Sequence, residues 1–402
     1  MRILILSVAF VSIAADWPQY QGPNRDSRST ETGLARSWPK EGPKVVWKKD
    51  AGNGWAGPAI AGDVAILFHR IANDEVVECV EAATGKEKWK QTYRTRYIDM
   101  LDKDDGPRST PLIAGDQVFT LGPDGDFSAF ALADGKRLWQ RNINKDYNVP
   151  KGYFGVGTSP MMAGGKLIIN VGGKSAGVVA FDPASGKEIW KSTDQGVSYS
   201  SPVLAKINGE DLAVFFTRQG LLTLALDKGE VRHEHYWRPR LDASVNAATP
   251  IVSGNQIFLS TSYNTGAILL EAGKNELTEI WKGDKSLSCH YNTPVLVKGH
   301  LFGIDGRQEG KPELRCVEWK TGKVLWAKEG FGCASLIAVD GMILAFSESG
   351  ELVLFEQNTE SYKELGRASI LDKSPCRAAV ALSGGRVFAR DSAKWICVDV
   401  RK

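Results

Sequence analysis

The chain has 402 residues, 50 of them basic and 47 acidic, a formal charge of +3, with 43% hydrophobic and 24% charged residues. These are the proportions of a soluble globular protein. A charge so evenly balanced, with no Lys/Arg run, excludes the concentrated basic face that nucleic-acid binding requires.

At the N-terminus Met1-Arg2 gives a positive start, Ile3 to Ile13 is apolar apart from Ser7 and Ser12, and Ser12, Ala14 and Ala15 are small residues ahead of Asp16. Residues 1–15 read as a signal peptide, too short to remain as a membrane span. They imply a mature protein that is extracytoplasmic, either periplasmic or secreted. The segment holds no Cys for lipid attachment. Residues 16–43 are an N-terminal extension, and 44–402 are built from one repeat.

Each repeat unit has a small residue followed by Pro, an apolar strand, a Gly-containing turn, two further strands, and a Gly-Lys turn with Trp four residues past the Gly. Gly85-Lys86 leads to Trp89, Gly135-Lys136 to Trp139, Gly186-Lys187 to Trp190 and Gly322-Lys323 to Trp326. A short-strand unit recurring at this length predicts an all-β propeller. Gly57-Pro58, Thr110-Pro111, Ser159-Pro160, Ser201-Pro202, Thr249-Pro250 and Thr293-Pro294 open six units, and Ala334-Ser335 and Ala378-Ala379 open two more. The last unit ends at Asp399-Val400 with no Gly-Lys-x-x-Trp, while Val45-Val46-Trp47-Lys48 supplies such an outer strand with no unit before it. The expectation is an eight-bladed propeller of four-stranded antiparallel blades, closed by the N-terminal strand, which removes a pair of sheet edges. The recurrent Trp is a wedge between blades. In the fourth unit Gly229 leads instead to His233, and the seventh carries Leu365-Gly366 there.

Cys79, Cys316 and Cys397 each precede Val and an acid, in a slot matched to Ala180 and Ala225, which reads as small buried filler. Cys289, Cys333 and Cys376 lie just before innermost strands, where a Cys333–Cys376 bridge is left open. His233-Glu234-His235 has metal-chelating spacing but reads as an ordinary edge strand. Asp99, Asp102, Asp104 and Asp105 read as a solvated acidic loop, without the EF-hand spacing of a calcium loop.

In such blades the second-to-third links and the links between blades share one face, and here those are the long, varied ones. Long loops on a rigid scaffold carry function. The residues leading the innermost strands on that face include Trp55, Arg108, Tyr199, Asn246, His290, Asn292 and Arg377. They compose a candidate site for a polar, anionic or planar ligand; a solvated channel mouth would use the same residues. Arg108 and Arg377 read as loop cations whose removal would weaken binding without unfolding the protein.

Ala83-Thr84-Gly85-Lys86-Glu87-Lys88-Trp89 and Asp182-Pro183-Ala184-Ser185-Gly186-Lys187-Glu188-Ile189-Trp190 resemble the pyrroloquinoline-quinone (PQQ) repeat. The resemblance covers about residues 44–400. That repeat builds both the quinoprotein alcohol dehydrogenases and the BamB-like envelope assembly proteins, which have no quinone. Trp17-Pro18-Gln19-Tyr20-Gln21-Gly22-Pro23-Asn24-Arg25, Gly106-Pro107-Arg108-Ser109-Thr110-Pro111 and His290-Tyr291-Asn292 are similar to motifs of exported bacterial PQQ-like propellers. The chain lacks the adjacent Cys-Cys and CxxCH of quinoprotein dehydrogenases and the acylated Cys of the lipoproteins. The resemblance implies a monomeric binding or assembly scaffold in the cell envelope, meeting an envelope protein or a polar small molecule at the loop-rich face. The alternative it implies is a PQQ-dependent dehydrogenase oxidising an alcohol or sugar. There calcium would hold the quinone, with Asn246, Asn292 and Asp305 as oxygen ligands and Trp55 as a stacking ring.

Overall fold

The computed structural model describes residues 16–402 apart from 102, 103, 153, 373 and 374; the signal peptide read at 1–15 lies outside them. Among the described residues the chain forms eight four-stranded antiparallel sheets and one short helix, Ile143–Asp146. Blades 1 to 7 span residues 59–94, 112–142, 161–192, 203–236, 251–283, 295–328 and 334–369, each running from inner to outer strand in chain order. Blade 8 takes its inner three strands from 381–399 and its fourth from Lys44–Asp50, with Lys44 opposite Asp399. The propeller is therefore closed by its N-terminal strand.

The structure explains the repeat. The outer-strand Trp of one blade lies on the Gly of the Gly-Lys turn of the next: a Cβ on Gly135 would stand 2.5 Å from the Trp89 ring, one on Gly186 2.7 Å from Trp139, and one on Gly85 2.7 Å from Trp47. The same Gly residues have φ of +72°, +66° and +71°, where a side chain is strained. Each indole N–H donates to a carbonyl of the same neighbour: Trp47 to Ala82, Trp89 to Leu132, Trp139 to Pro183, Trp190 to Leu226, Trp281 to Trp319 and Trp326 to Asn358, at 2.8–3.0 Å. In blade 4 His233 takes over, its Nε2 lying 2.9 Å from the Gly273 carbonyl oxygen and its Nδ1 2.9 Å from Thr223 Oγ1. In blade 7 the slot is Gly366, where a Cβ would stand 3.5 Å from the ring of Trp38 of the N-terminal extension.

Opposite these Trp residues stands a small residue, except at Trp281, which faces Leu269. Cys79 faces Trp89, Ala180 faces Trp190, Cys316 faces Trp326 and Cys397 faces Trp47. The blade 4 equivalent is Thr223 opposite His233, not Ala225, which corrects the sequence alignment by two residues. Burial pushes the thiols of Cys79, Cys316 and Cys397 up to about 12. Cys333 is a buried free thiol, so the Cys333–Cys376 bridge is not formed.

The small residue before Pro has its own role. Thr110 Oγ1 accepts from Gly57 N, Ser159 Oγ from Thr110 N, Ser201 Oγ from Ser159 N and Thr293 Oγ1 from Thr249 N, at 2.9–3.2 Å. Each hydroxyl ties its blade to the preceding one around the axis. The following Pro needs no donor where the strand begins.

Candidate functional site

Residues 16–31 do not lie along the outside of the propeller. They cross the short-turn end of the channel and touch blade after blade. Trp17 exchanges backbone hydrogen bonds with Ile60 of blade 1, and Pro18 O accepts from Ile113 of blade 2. Arg25, 3% exposed, donates to the carbonyls of Ser159 and Pro160 in blade 3 and Pro202 in blade 4, at 2.6–3.1 Å. Tyr20 lies beside Thr249 and Thr293, which open blades 5 and 6. Ser29 N donates to Ala338 O of blade 7, and the Glu31 carboxylate accepts from Gly384 N and Gly385 N of blade 8. Burial lowers the Arg25 guanidinium to about 10, so it stays charged at neutral pH. Buried carbonyls compensate this cation in place of a carboxylate.

The channel is thereby a cup, open on the loop-rich face and floored by Trp17, Tyr20, Gln21 and Ser27, with a volume of about 490 Å³. Its walls bring together Trp55, Arg108, Tyr199, His290, Asn292 and Arg377 of the seven sequence-predicted residues. Asn246 is not brought there: its side-chain Nδ2 donates to Thr217 O at 2.9 Å and its backbone carbonyl accepts from Tyr199 N and Ser200 N. It holds the wall from behind. The floor was missed from sequence because it lies outside the repeat. The available signal was the dense Trp17–Arg25 motif, with no blade of its own to belong to.

The two arginines are not free cations. Arg108 Nη2 donates to Asp99 at 2.6 Å, with 6% and 0% of the two side chains exposed. Asp99 also accepts from the Tyr97 hydroxyl at 2.9 Å and from Leu101 N at 2.8 Å. Asp104 accepts from Gly54 N and Gly106 N, and Asp105 from Asp99 N. The described part of the acidic loop is thus folded inward around Arg108, which corrects the solvated reading. Arg377 Nε donates to Glu348 at 2.8 Å, and the Tyr291 hydroxyl donates to the same oxygen at 2.5 Å. Both guanidinium carbons stack on Trp55, 4.6 and 4.7 Å from its ring centre. His290 lies between the Tyr263 hydroxyl at 2.8 Å and Gln308 Oε1 at 2.9 Å, and burial lowers its pKa. Burial thus favours its neutral form.

These residues do not fit PQQ, a planar tricarboxylate. The cations that would meet its carboxylates already hold Asp99 and Glu348, and the Trp55 ring is occupied by guanidinia. Of the calcium ligands the resemblance implied, only Asn292 lines the cup. Asn246 is turned away, and Asp305 accepts from Ser288 N at 2.6 Å and pairs with Arg315 at 3.0 Å.

A family model described as outer membrane protein assembly factor BamB matches residues 39–194 and 154–328. The chain is 22% identical over 281 residues to the protein of that name from Yersinia pestis, covering 63% of this chain and 67% of that protein. It is 24% identical over 256 residues to the one from Burkholderia pseudomallei, covering 61% of each. Among solved structures it is similar to BamB from Moraxella catarrhalis, with TM-score 0.63, 13% identity and coverage of 88% of this chain and 97% of that one. It is also similar to a quinohemoprotein alcohol dehydrogenase from Pseudomonas putida HK5, with TM-score 0.66, 11% identity and coverage of 96% and 80%. At these identities the two structures speak for the eight-bladed fold alone. The matched sequence stretches, together with the PQQ-like blades that carry them, place the chain in the outer membrane protein assembly factor BamB family.

Proposed function

We propose that this protein is a non-catalytic scaffold of the bacterial cell envelope that assists assembly of other envelope proteins, docking them on its loop-rich face. The observation that carries this reading is the family match over residues 39–194 and 154–328. Two features of the face support it. The two guanidinia stacked on Trp55, Arg108 and Arg377, are ion-paired with Asp99 and Glu348. The loop between blades 1 and 2 holds Ile98, Met100 and Leu101 in water, 65–68% exposed, while Tyr97 and Asp99 between and beside them are buried. Large apolar side chains held out by a hydrogen-bonded loop are the kind of surface that a protein partner covers. The extracytoplasmic location rests on the Arg2-led apolar run ahead of Asp16.

A strain that makes this protein tests the proposal. Its removal lowers the amount of folded outer-membrane β-barrel protein, and the intact gene restores it. The pair Ile98→Asp and Met100→Asp keeps the melting temperature and loses the restoration. Unchanged β-barrel levels without the protein would contradict the reading.

A further inference from the structure

We propose that the cup and its rim bind an extended polypeptide segment, which lies across the mouth and lowers aromatic or aliphatic side chains into the cavity. The inference rests on the scaffold reading above and names the kind of chain the scaffold holds. It starts from the rim. Leu101, 65% exposed, belongs both to the apolar group with Ile98 and Met100 in the link between blades 1 and 2 and to the wall of the cup. The link between blades 4 and 5 carries a second such group. Tyr236 at its start is 70% exposed and Leu241 53%, and the link then runs inward to Val245 and Ala247, which line the cup. The two links are three blades apart in a ring of eight, so their apolar side chains stand on nearly opposite sides of the mouth. A small molecule filling the cup of about 490 Å³ would leave both groups in water. A chain crossing from one to the other covers both and passes over the cavity between them.

The cavity itself offers ring surface. Trp55, Phe154, Tyr199, His290 and Tyr291 line it, and each keeps part of its surface exposed. They come from the segments ahead of blades 1, 3, 4 and 6, so the rings are spread around the wall rather than gathered on one side. Phe154 meets Tyr199 at 5.7 Å and 69°, and His290 meets Tyr291 at 5.7 Å and 66°. An incoming aromatic side chain joins such an arrangement edge to face. A hollow of this size takes side chains and not a folded domain. In an extended chain successive side chains point to opposite faces. Apolar residues at alternate positions therefore reach the rim and the cup, while the polar residues between them stay in water. That alternation is the pattern of a membrane β-barrel strand that has not yet folded.

Fluorescence anisotropy of a labelled peptide with the intact protein tests this, the peptide having about twelve residues and an extended length of roughly 40 Å. The probe alternates Phe, Tyr and Leu with Ser and Lys. A control of the same composition gathers its apolar residues in one block. The alternating peptide binds saturably, about tenfold more tightly than the control. Leu101→Asp and Leu241→Asp, at exposed positions on the two sides of the mouth, each weaken binding about tenfold without changing the melting temperature. Ala247→Phe fills the cup from its wall and weakens binding with the rim intact, so a folding defect in one variant leaves the others decisive. Absence of saturable binding overturns the proposal, as does equal affinity for the two peptides or indifference to all three substitutions. Self-association of the protein that Leu101→Asp abolishes overturns it too, since a second copy would then cover the rim. Peptide binding with unchanged β-barrel levels in the strain contradicts the scaffold role alone, and the reverse result contradicts this site alone.

Discussion

Glu75 is a buried carboxyl outside the cup. It is buried between blades 1 and 2, neither carboxyl oxygen has a well-aligned partner, and Gly122 presses against it. Burial raises its pKa from 4.5 to about 7; nearby Asp126 adds to the rise, while Tyr93, Thr95 and Arg70 oppose it. The folded state therefore holds this proton where the unfolded chain has released it. Its contribution is most favourable below about pH 4.5 and declines as pH climbs through about 7. Glu75→Gln should be nearly neutral at low pH and stabilising above neutrality, by up to roughly 3 kcal/mol. Denaturant unfolding of both proteins across this range checks it, and parallel pH profiles would refute the assignment. The same scale revises the two arginines. The sequence shows them as loop residues, and their partners, Asp99 and Glu348, are brought in only by folding. Arg108→Ala strands a buried carboxylate and should cost about 3 kcal/mol. Arg377→Ala, at a pair about one-fifth exposed, should cost about 1 kcal/mol or less. Thermal melts of the two variants separate these outcomes, and equal melting temperatures would sink the distinction.

At the scale of the element, the blade is held to its neighbour by one residue type in one slot. Gly-Lys-x-x-Trp was legible in sequence because each unit meets the same demand: a ring on one sheet, a bare Cα on the next, and an indole N–H to a carbonyl. Trp89→Ala removes the wedge and should cost about 3 kcal/mol. Gly135→Ala introduces a Cβ 2.5 Å from that ring at φ +72° and should destabilise comparably. If the two changes are combined, the loss should fall short of their sum, because both act on one contact; additive losses in a double-mutant cycle would contradict the shared contact. Where the repeat lapses, sequence gave less warning. His233 replaces the indole through its own ring nitrogen, and Trp38 reaches Gly366 from about 330 residues away in sequence. A pattern search sees neither, since one changes the residue type and the other the chain segment.

For the whole molecule, the number of blades and their closure followed from counting units and finding an outer strand missing at one end and spare at the other. The cup did not follow. A propeller channel reads as open at both ends unless something fills it, and the filling segment has no repeat to align with. Deleting residues 16–34 should leave eight blades but lower the melting temperature and open the channel. Deleting 16–48 should also bare the edge of Lys394–Asp399 and abolish cooperative unfolding. Identical melts for the two truncations would contradict the separate roles of floor and closing strand. The proposed scaffold role requires that this chain bind and position rather than oxidise, in keeping with the ion-paired Arg108 and Arg377 and with Asn246 and Asp305 lying away from the cup. The most direct test is a titration of the purified protein with PQQ in the presence of calcium, followed by absorption and by dye reduction with an alcohol or sugar. A scaffold should show neither a saturable spectral shift nor dye reduction; stoichiometric calcium-dependent binding with turnover would overturn that reading.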